Sequence, residues 1–578
     1  MNGISRNRYA IIDYITLEYN HTGMQGEAKR RAIPIGVDDF KKVREENYYF
    51  VDKSELISDI LKDKAEVYLF TRPRRFGKSL NLSMLDAFFN AKYKGNGWFN
   101  GLKVSEHKST EQYKNAYPVV YINMKDLSVE SGESFIEDMN LKISRLFQKY
   151  DLGTKIRRTS KENRDIYSRG RAQKLNESEL KASVTILCHI LDDCYGKPPV
   201  VLIDEYDNPI NNAFSRKSYR KIMAFLPKFY SSMLKSNEHL SFAVVTGVMH
   251  IGKETIFSGL NNLKVNNIFT ERFDERYGFT AAEVEELCTY YGHGKKYEEA
   301  REWYDGYRFG NAEIYNPWSV LNYISAGFKP ATYWAGTSGN DIIDTLLAHA
   351  NLETYDELQS LAENRPVKKT LSPIITLREV GGNRNAIFSV MAIAGYLNAV
   401  PLGNDNYELS IPNTEMRKVF SSMMLNSIHS DASLAFTYLF EGMINADLDM
   451  MKEGLDTILY DNIPFFVLSK EKDYQLIIAA AAMSLLGRYS VKLEKETGNG
   501  RADILLIPNR PGLPNIIMEL KKTQARKPEG MMKSAEGAIG QIKERDYSRG
   551  REGKVLLYGV SFRGKDSAIA MEEIASAK

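Results

Sequence analysis

Three cysteines, Cys188, Cys194 and Cys288, form no CxxC pair and are too few for a disulfide framework. They are expected as small buried hydrophobes in a reducing compartment. Long apolar runs are missing too: no stretch reaches the roughly 20 residues of a membrane span. The opening MNGISRNRYAIIDYITLEYN has no apolar core behind its basic residues, so a cytoplasmic protein is expected. Neither sign of charge dominates, with 77 Lys and Arg against 74 Asp and Glu. That balance neither requires nor excludes a nucleic-acid partner, because a local basic patch fits inside a nearly neutral total.

With 578 residues, 43% hydrophobic and 26% charged, the chain is an ordinary globular composition too long for one core. Residues 1–31 are polar and read as a loosely held arm. From Ile33 to about 270, apolar β-type runs alternate with helical stretches: Val67–Phe70, Val119–Ile122, Val200–Ile203 and Phe242–Val245. Such alternation predicts a parallel sheet wrapped by helices, an α/β fold. Lys155–Glu179, rich in Lys, Arg, Ser and Asn, reads as a mobile, solvated surface segment. From 271 to 450 the pattern is mainly helical, with aromatic residues Trp303, Tyr304, Tyr307, Phe309, Tyr315 and Trp318 expected in a core. The last segment reads αβββαβ: a helix at Leu476–Leu486, strands at 491–493, 502–507 and 515–520, a helix near Ala535–Arg545 and a strand at 555–560.

Two constellations carry chemistry. After the first strand, Thr71-Arg72-Pro73-Arg74-Arg75-Phe76-Gly77-Lys78-Ser79 opens a helix whose apolar residues share one face. That is the context of a phosphate-binding P-loop, or Walker A segment. Its backbone N–H groups, from Arg74, Arg75, Phe76 and Gly77 onward, would cradle ATP phosphates. Lys78 would neutralise them and Ser79 would ligate Mg²⁺. Arginine at position 72 departs from the glycine the full pattern asks for.

The matching Walker B segment is Val200-Val201-Leu202-Ile203-Asp204-Glu205, a strand ending in two carboxylates at the sheet edge where ligands bind. There Asp204 would hold Mg²⁺ through water, and Glu205 would polarise the attacking water. A helix cap with a first-turn acid is the competing reading. Thr246, ending the next strand, is the expected phosphate sensor. In the last segment, Asp503 and Glu519 lie on consecutive strands with Lys521 two residues on. Two carboxylates offer hard oxygen ligands to Mg²⁺ or Mn²⁺, and Lys521 would activate or orient a water. Competing readings are solvated strand-end charges, a salt bridge from Lys521 to a carboxylate, and a fold retained for binding alone.

Phe50-Val51-Asp52-Lys53-Ser54, Arg72 to Leu80, Leu202 to Asp207, Trp303 to Tyr307 and Tyr315 to Trp318 closely resemble the bacterial AAA-ATPase-like family, over roughly residues 33–340 and again 460–565. Members commonly end in a PD-(D/E)XK nuclease-like domain, whose pattern Asp503, Glu519 and Lys521 match. In this resemblance an arginine-rich loop lacking its first glycine is a family trait. It implies an arm at 1–31, a P-loop ATPase domain at 32–270, a helical lid or middle region at 271–450 and a restriction-endonuclease-like domain at 451–578. It also implies ATP and Mg²⁺ as cofactors and nucleic acid as partner, DNA before RNA, with homo-oligomerisation among the permitted states. Glu494 or Glu496 would supply a further acid, and Gln541 with Tyr547 resembles a QxxxY-like helix signature at longer spacing. The competing function is a nucleotide-controlled binding or remodelling module that does not cut.

Overall fold

The structure is a computed structural model, and it describes residues 30–214, 216–250, 257, 260–334, 352–362, 364–374, 386–426, 432–461, 474–475, 478, 482, 485, 488–497, 500–548, 550–551 and 553–575. Of the arm, only Arg30 and Arg31 belong to these residues. The expected helix at 476–486 lies outside them except for residues 478, 482 and 485.

Five short strands, β1 (Val67–Thr71), β2 (Val119–Asn123), β3 (Val200–Asp204), β4 (Phe242–Gly247) and β5 (Leu263–Asn266), form a parallel sheet in the order β2-β3-β4-β1-β5. β1 and β3 are buried along their whole length, which is why they read as continuous apolar runs rather than alternating ones. Helix α1 (Lys78–Phe89) carries the chain from β1 to the far edge. Helices α2 (Gly132–Gln148), α3 (Lys161–Arg171), α4 (Glu177–Tyr195) and α5 (Tyr219–Leu234) lie in the return crossovers. Outward and return crossovers of right hand place helices on both faces.

The expected mobile segment at 155–179 folds instead. Ser160 accepts a hydrogen bond from Asn163 N and caps α3, whose Ile166, Tyr167 and Gly170 turn inward. A Cβ on Gly170 would meet the Phe147 ring at 2.8 Å, so α3 seats directly on α2. Three apolar or small residues at helical spacing, with Asn163 buried beside them, outweigh the surrounding charges.

The middle region is mainly helical with two small antiparallel sheets. One is β6 (Phe279–Thr280), β7 (Tyr307–Phe309) and β8 (Ala312–Tyr315), followed by helix α6 (Pro317–Ser325). The other is β9 (Val367–Thr370), β10 (Asn398–Gly403) and β11 (Asn406–Ser410), with helix α7 (Thr414–Asn426) after it. Of the aromatic group, Tyr304, Tyr307, Phe309 and Tyr315 are buried, while Trp303 and Trp318 are half-buried.

The C-terminal sheet runs β12 (Tyr489–Thr497), β13 (Gly500–Pro508), β14 (Asn515–Lys522), β15 (Lys554–Arg563) and β16 (Asp566–Ala575), in that spatial order. β14 and β15 are parallel, joined by a crossover through helix α10 (Pro528–Glu544), and the other pairs are antiparallel. The final hairpin adds β16, one strand more than the expected order. Gly559 is where β15 meets α10, since a Cβ there would overlap the Ala535 carbonyl. The opposite face packs on helices α8 (Ala432–Asn445) and α9 (Leu448–Asp461). Among the described residues, no helix is long and apolar enough to cross a membrane.

Candidate nucleotide site and candidate metal centre

Parallel pairing brings the C-terminal ends of β2, β3 and β4 level. Asn123 is paired with Asp204, and Ile203 with Val245, so Asn123, Asp204 and Thr246 form a row across three strands. Asp204 is fully buried; its Oδ1 accepts from the Thr246 hydroxyl at 2.6 Å and its Oδ2 from Asn123 Nδ2 at 3.1 Å. Beyond it, Glu205 takes φ +52°, a left-handed conformation uncommon outside glycine, and leaves the strand line half-buried. Burial raises its pKa, with Lys78 opposing. Neither carboxylate caps the following helix, Asn208–Ala213. The N-cap there is Asp207, whose Oδ2 accepts from Val248 N at 3.0 Å and Met249 N at 2.8 Å.

On the neighbouring strand, the loop after β1 enters α1 through Gly77 at φ +77°. Lys78 is buried, and its Nζ donates to the loop's own carbonyls, Arg72 O at 2.9 Å and Pro73 O at 2.8 Å. Burial draws its pKa down to about 8 against the upward pull of Glu205, Asp207 and Asp204. Ser79 follows, half-buried, in the first turn of the helix. Arg72 turns away from the loop into the core. Its Nη1 donates to Thr71 O and Asn266 O, both at 2.9 Å, and its guanidinium lies 5.4 Å from the Tyr277 ring centre and 5.1 Å from that of Phe309. Burial pulls its pKa down to about 10. The arginine in the glycine position is therefore a buried tie between β1, β5 and the segment after it.

The second constellation lies on the C-terminal sheet. Asp503 on β13 accepts from Leu520 N through Oδ2 at 2.7 Å. Glu519 on β14 is 2% exposed; its Oε1 accepts from Lys521 Nζ at 3.2 Å and from Gln541 Nε2 of α10. Its Oε2 is buried and has no hydrogen bond of normal geometry. Burial raises the Glu519 pKa, while Lys521 and the Asp503 backbone draw it down. Gln541, the weaker candidate by sequence spacing, is thus brought into the cluster. Tyr547 is buried beside it in the α10 core, where its hydroxyl accepts from Arg545. Glu494 falls between the pairs Leu493–Ile504 and Lys495–Ala502, level with Asp503, and Glu496 is paired with Arg501. The side chains of Glu494 and Glu496 lie outside the described residues.

Residues 34–257 match the family described as Predicted AAA-ATPase, and residues 469–572 match the PD-(D/E)XK nuclease superfamily. The chain carries an AAA-ATPase-like domain followed by a PD-(D/E)XK nuclease superfamily domain. A relative from Azotobacter chroococcum mcd 1, described as an uncharacterized protein in the vnfD 5' region, is 27% identical over 551 residues. That alignment covers 92% of this chain and 96% of the relative.

In the AAA-ATPase-like domain the loop after β1 touches the middle region at successive residues. A Cβ on Gly395 would meet Pro73 at 2.8 Å, and Trp334 Nε1 donates to Arg74 O at 3.5 Å. The Arg75 guanidinium lies 4.0 Å from the centre of the Trp318 ring. Phe76 packs its ring at 5.1 Å against both Tyr307 and Phe309, so its side chain belongs to the core and only its backbone faces the loop. Sequence reasoning missed Asn123 and Asp207. Asn123 has no signal before strand pairing is known. Asp207 does: a third acid one turn beyond a buried strand end, in Asp204-Glu205-Tyr206-Asp207, is more than a cap requires.

Proposed function

We propose that this protein binds and hydrolyses ATP in its AAA-ATPase-like domain and cuts nucleic acid, DNA in preference to RNA, in its nuclease-superfamily domain. Domains of these two types generally use a nucleotide and a divalent metal, which supports ATP and Mg²⁺, with Mn²⁺ able to replace it at the second site. The division at 31, 270 and 450, the site residues and a cytoplasmic setting are part of the same reading.

The observation that carries the nuclease half is Glu519 Oε2, an enclosed carboxylate oxygen that no hydrogen bond of normal geometry reaches. An orphaned acceptor of this kind costs on the order of 1–3 kcal/mol and fits a hard cation. Asp503, Glu519 and the Leu520 carbonyl would hold that cation. When bound it supplies Lewis-acid polarisation of the scissile phosphate and a more acidic water. Lys521, joined to Glu519, orients the water, and Gln541 fixes the rotamer of Glu519 by holding its other oxygen.

In the ATPase half, Lys78 exchanges its two carbonyl acceptors for phosphate oxygens, and the α1 N-terminus adds its backbone donors. Asp204, held in one orientation by Asn123 and Thr246, would hold Mg²⁺ through water. Glu205, raised in pKa and standing beyond the strand end, takes the proton of the attacking water. Thr246 links that carboxylate row to the strand beside the loop.

The second reading is a nucleotide-controlled module that binds nucleic acid or protein without cutting, since a nuclease fold does not by itself fix the activity. A cleavage assay on several nucleic-acid forms, with Mg²⁺ or Mn²⁺ and with or without ATP, beside Asp503→Ala, separates the two. Metal-dependent cleavage lost in the variant supports the nuclease. Binding without cleavage under every condition transfers the function to the module.

A further inference from the structure

Arg75 is a cation on the phosphate loop that is directed outward. Its backbone sits at φ +73°, and its guanidinium lies face-on to Trp318 of α6, 4.0 Å from the ring centre. The ring is anchored, because Trp318 Nε1 donates to Tyr333 O at 2.9 Å. The loop on either side of Arg75 is anchored as well. Arg74 O accepts from Trp334 Nε1 at 3.5 Å, and Phe76 O accepts from Gly278 N at 3.3 Å. Between these fixed points the exposed Arg75 side chain rests on the Trp318 ring. Burial lowers its pKa and Arg74 acts in the same sense, while the Glu205 carboxylate acts in the opposite one, so the guanidinium already feels the charge of the reaction centre.

Resting on the ATP-binding reading, we infer that Trp318 is a seat for Arg75, and that Arg75 leaves this seat to pair with the terminal phosphate when nucleotide occupies the loop. A guanidinium over an indole is held by a charge–quadrupole attraction. A phosphate offers it full opposite charge and two parallel hydrogen bonds, the stronger of the two interactions. Departure bares one face of Trp318 and breaks the contact between Arg75 and α6, so the middle region registers whether the loop is filled. Arg75 would then act on the phosphate from within the same chain.

Tryptophan emission tests this, because the cation–π partner of one of only four tryptophans, Trp98, Trp303, Trp318 and Trp334, is removed. The full-length parent, Trp318→Phe, Trp98→Phe and Arg75→Ala are titrated with a non-hydrolysable MgATP analogue, by fluorescence and by calorimetry. The parent is expected to change emission with the calorimetric midpoint. Trp98→Phe should keep that change. Trp318→Phe, which conserves an aromatic ring, should lose it while binding within about threefold of the parent. Arg75→Ala should lose it and bind about 10- to 100-fold more weakly, the loss of a charged hydrogen-bond donor. Calorimetric binding with silent emission, or an equal emission change in parent and Trp318→Phe, overturns the seat and leaves ATP binding standing. Absence of calorimetric binding in the parent overturns both.

Discussion

Thr246, one residue before the end of β4, and Asp204, the last residue of β3, share a 2.6 Å hydrogen bond inside the protein, with the threonine donating. Asp204 is fully buried, and Asn123 occupies its other oxygen. Thr246→Ala removes one of two donors from an enclosed carboxylate, which should cost about 1–3 kcal/mol of stability. Thr246→Ser retains the hydroxyl and should recover most of it. Denaturant unfolding of the two variants, with the Mg²⁺ dependence of hydrolysis beside it, checks both the structural and the site role. Equal stability in alanine and serine variants would remove the bond from the account.

Lys78→Ala should abolish detectable ATP binding, since the buried ammonium is the charge that the phosphates meet. A pH signature goes with it. With a folded pKa of about 8, Lys78 is mostly neutral above that pH, and bound phosphate favours the charged form. Nucleotide binding above pH 8 should therefore take up a proton, and affinity should fall as pH rises. Calorimetry in buffers of different ionisation enthalpy measures that uptake, and a pH-independent affinity from 7 to 9.5 would contradict it.

Glu205→Gln keeps shape and removes the base. The variant should bind MgATP normally and turn it over at least about 100-fold more slowly, the usual span of general-base removal. Burial raises the parent Glu205 pKa, so the acid limb of its rate profile should lie above the ordinary carboxylate range, the rate falling as pH drops through it. Steady-state hydrolysis at several pH values decides, and an unaltered rate would make Glu205 structural.

Glu519→Gln should eliminate metal-dependent cleavage yet leave the fold as stable as the parent or more so. An acid whose folded pKa is raised weakens the fold when ionised and regains that stability as pH falls through the folded pKa. The neutral amide avoids the cost at pH 7. Thermal unfolding and cleavage measured on one preparation give the two readouts, and ATP hydrolysis should persist. A large fall in unfolding temperature would show that the Lys521 and Gln541 contacts hold the sheet together.

Gln541→Ala removes one of the two donors to Glu519 Oε1, leaving Lys521 in place, without touching the proposed metal ligands. Cleavage should drop about 10- to 100-fold in apparent metal affinity, the cost typical of losing a group that orients a ligand. Saturating Mn²⁺ should restore most of the rate. No shift in metal dependence would confine Gln541 to packing.

Local pattern decided much of this protein. A strand followed by Gly77-Lys78-Ser79 and an apolar helix face is written within some twenty residues, and so is a buried strand ending in Asp204-Glu205. The β-type alternation that places Asp503 and Glu519 on consecutive strands is equally local, because side-chain periodicity and turn chemistry act over a few residues. Lateral neighbours are set by long-range pairing instead. The order β2-β3-β4-β1-β5 alone puts Asn123 beside Asp204, and the α10 crossover alone carries Gln541 to Glu519. β5 and β16 were illegible for a related reason: Leu263–Asn266 is short and mixed, and the Asp566–Ala575 strand closes a hairpin whose partner must be known first. Charge misled at 155–179, where the inward residues of α3 are few but correctly spaced. Arg72 shows the same division: its type signals a departure from the glycine pattern, whereas only the carbonyls of Thr71 and Asn266 and the rings of Tyr277 and Phe309, gathered from distant parts of the chain, turn a cation inward.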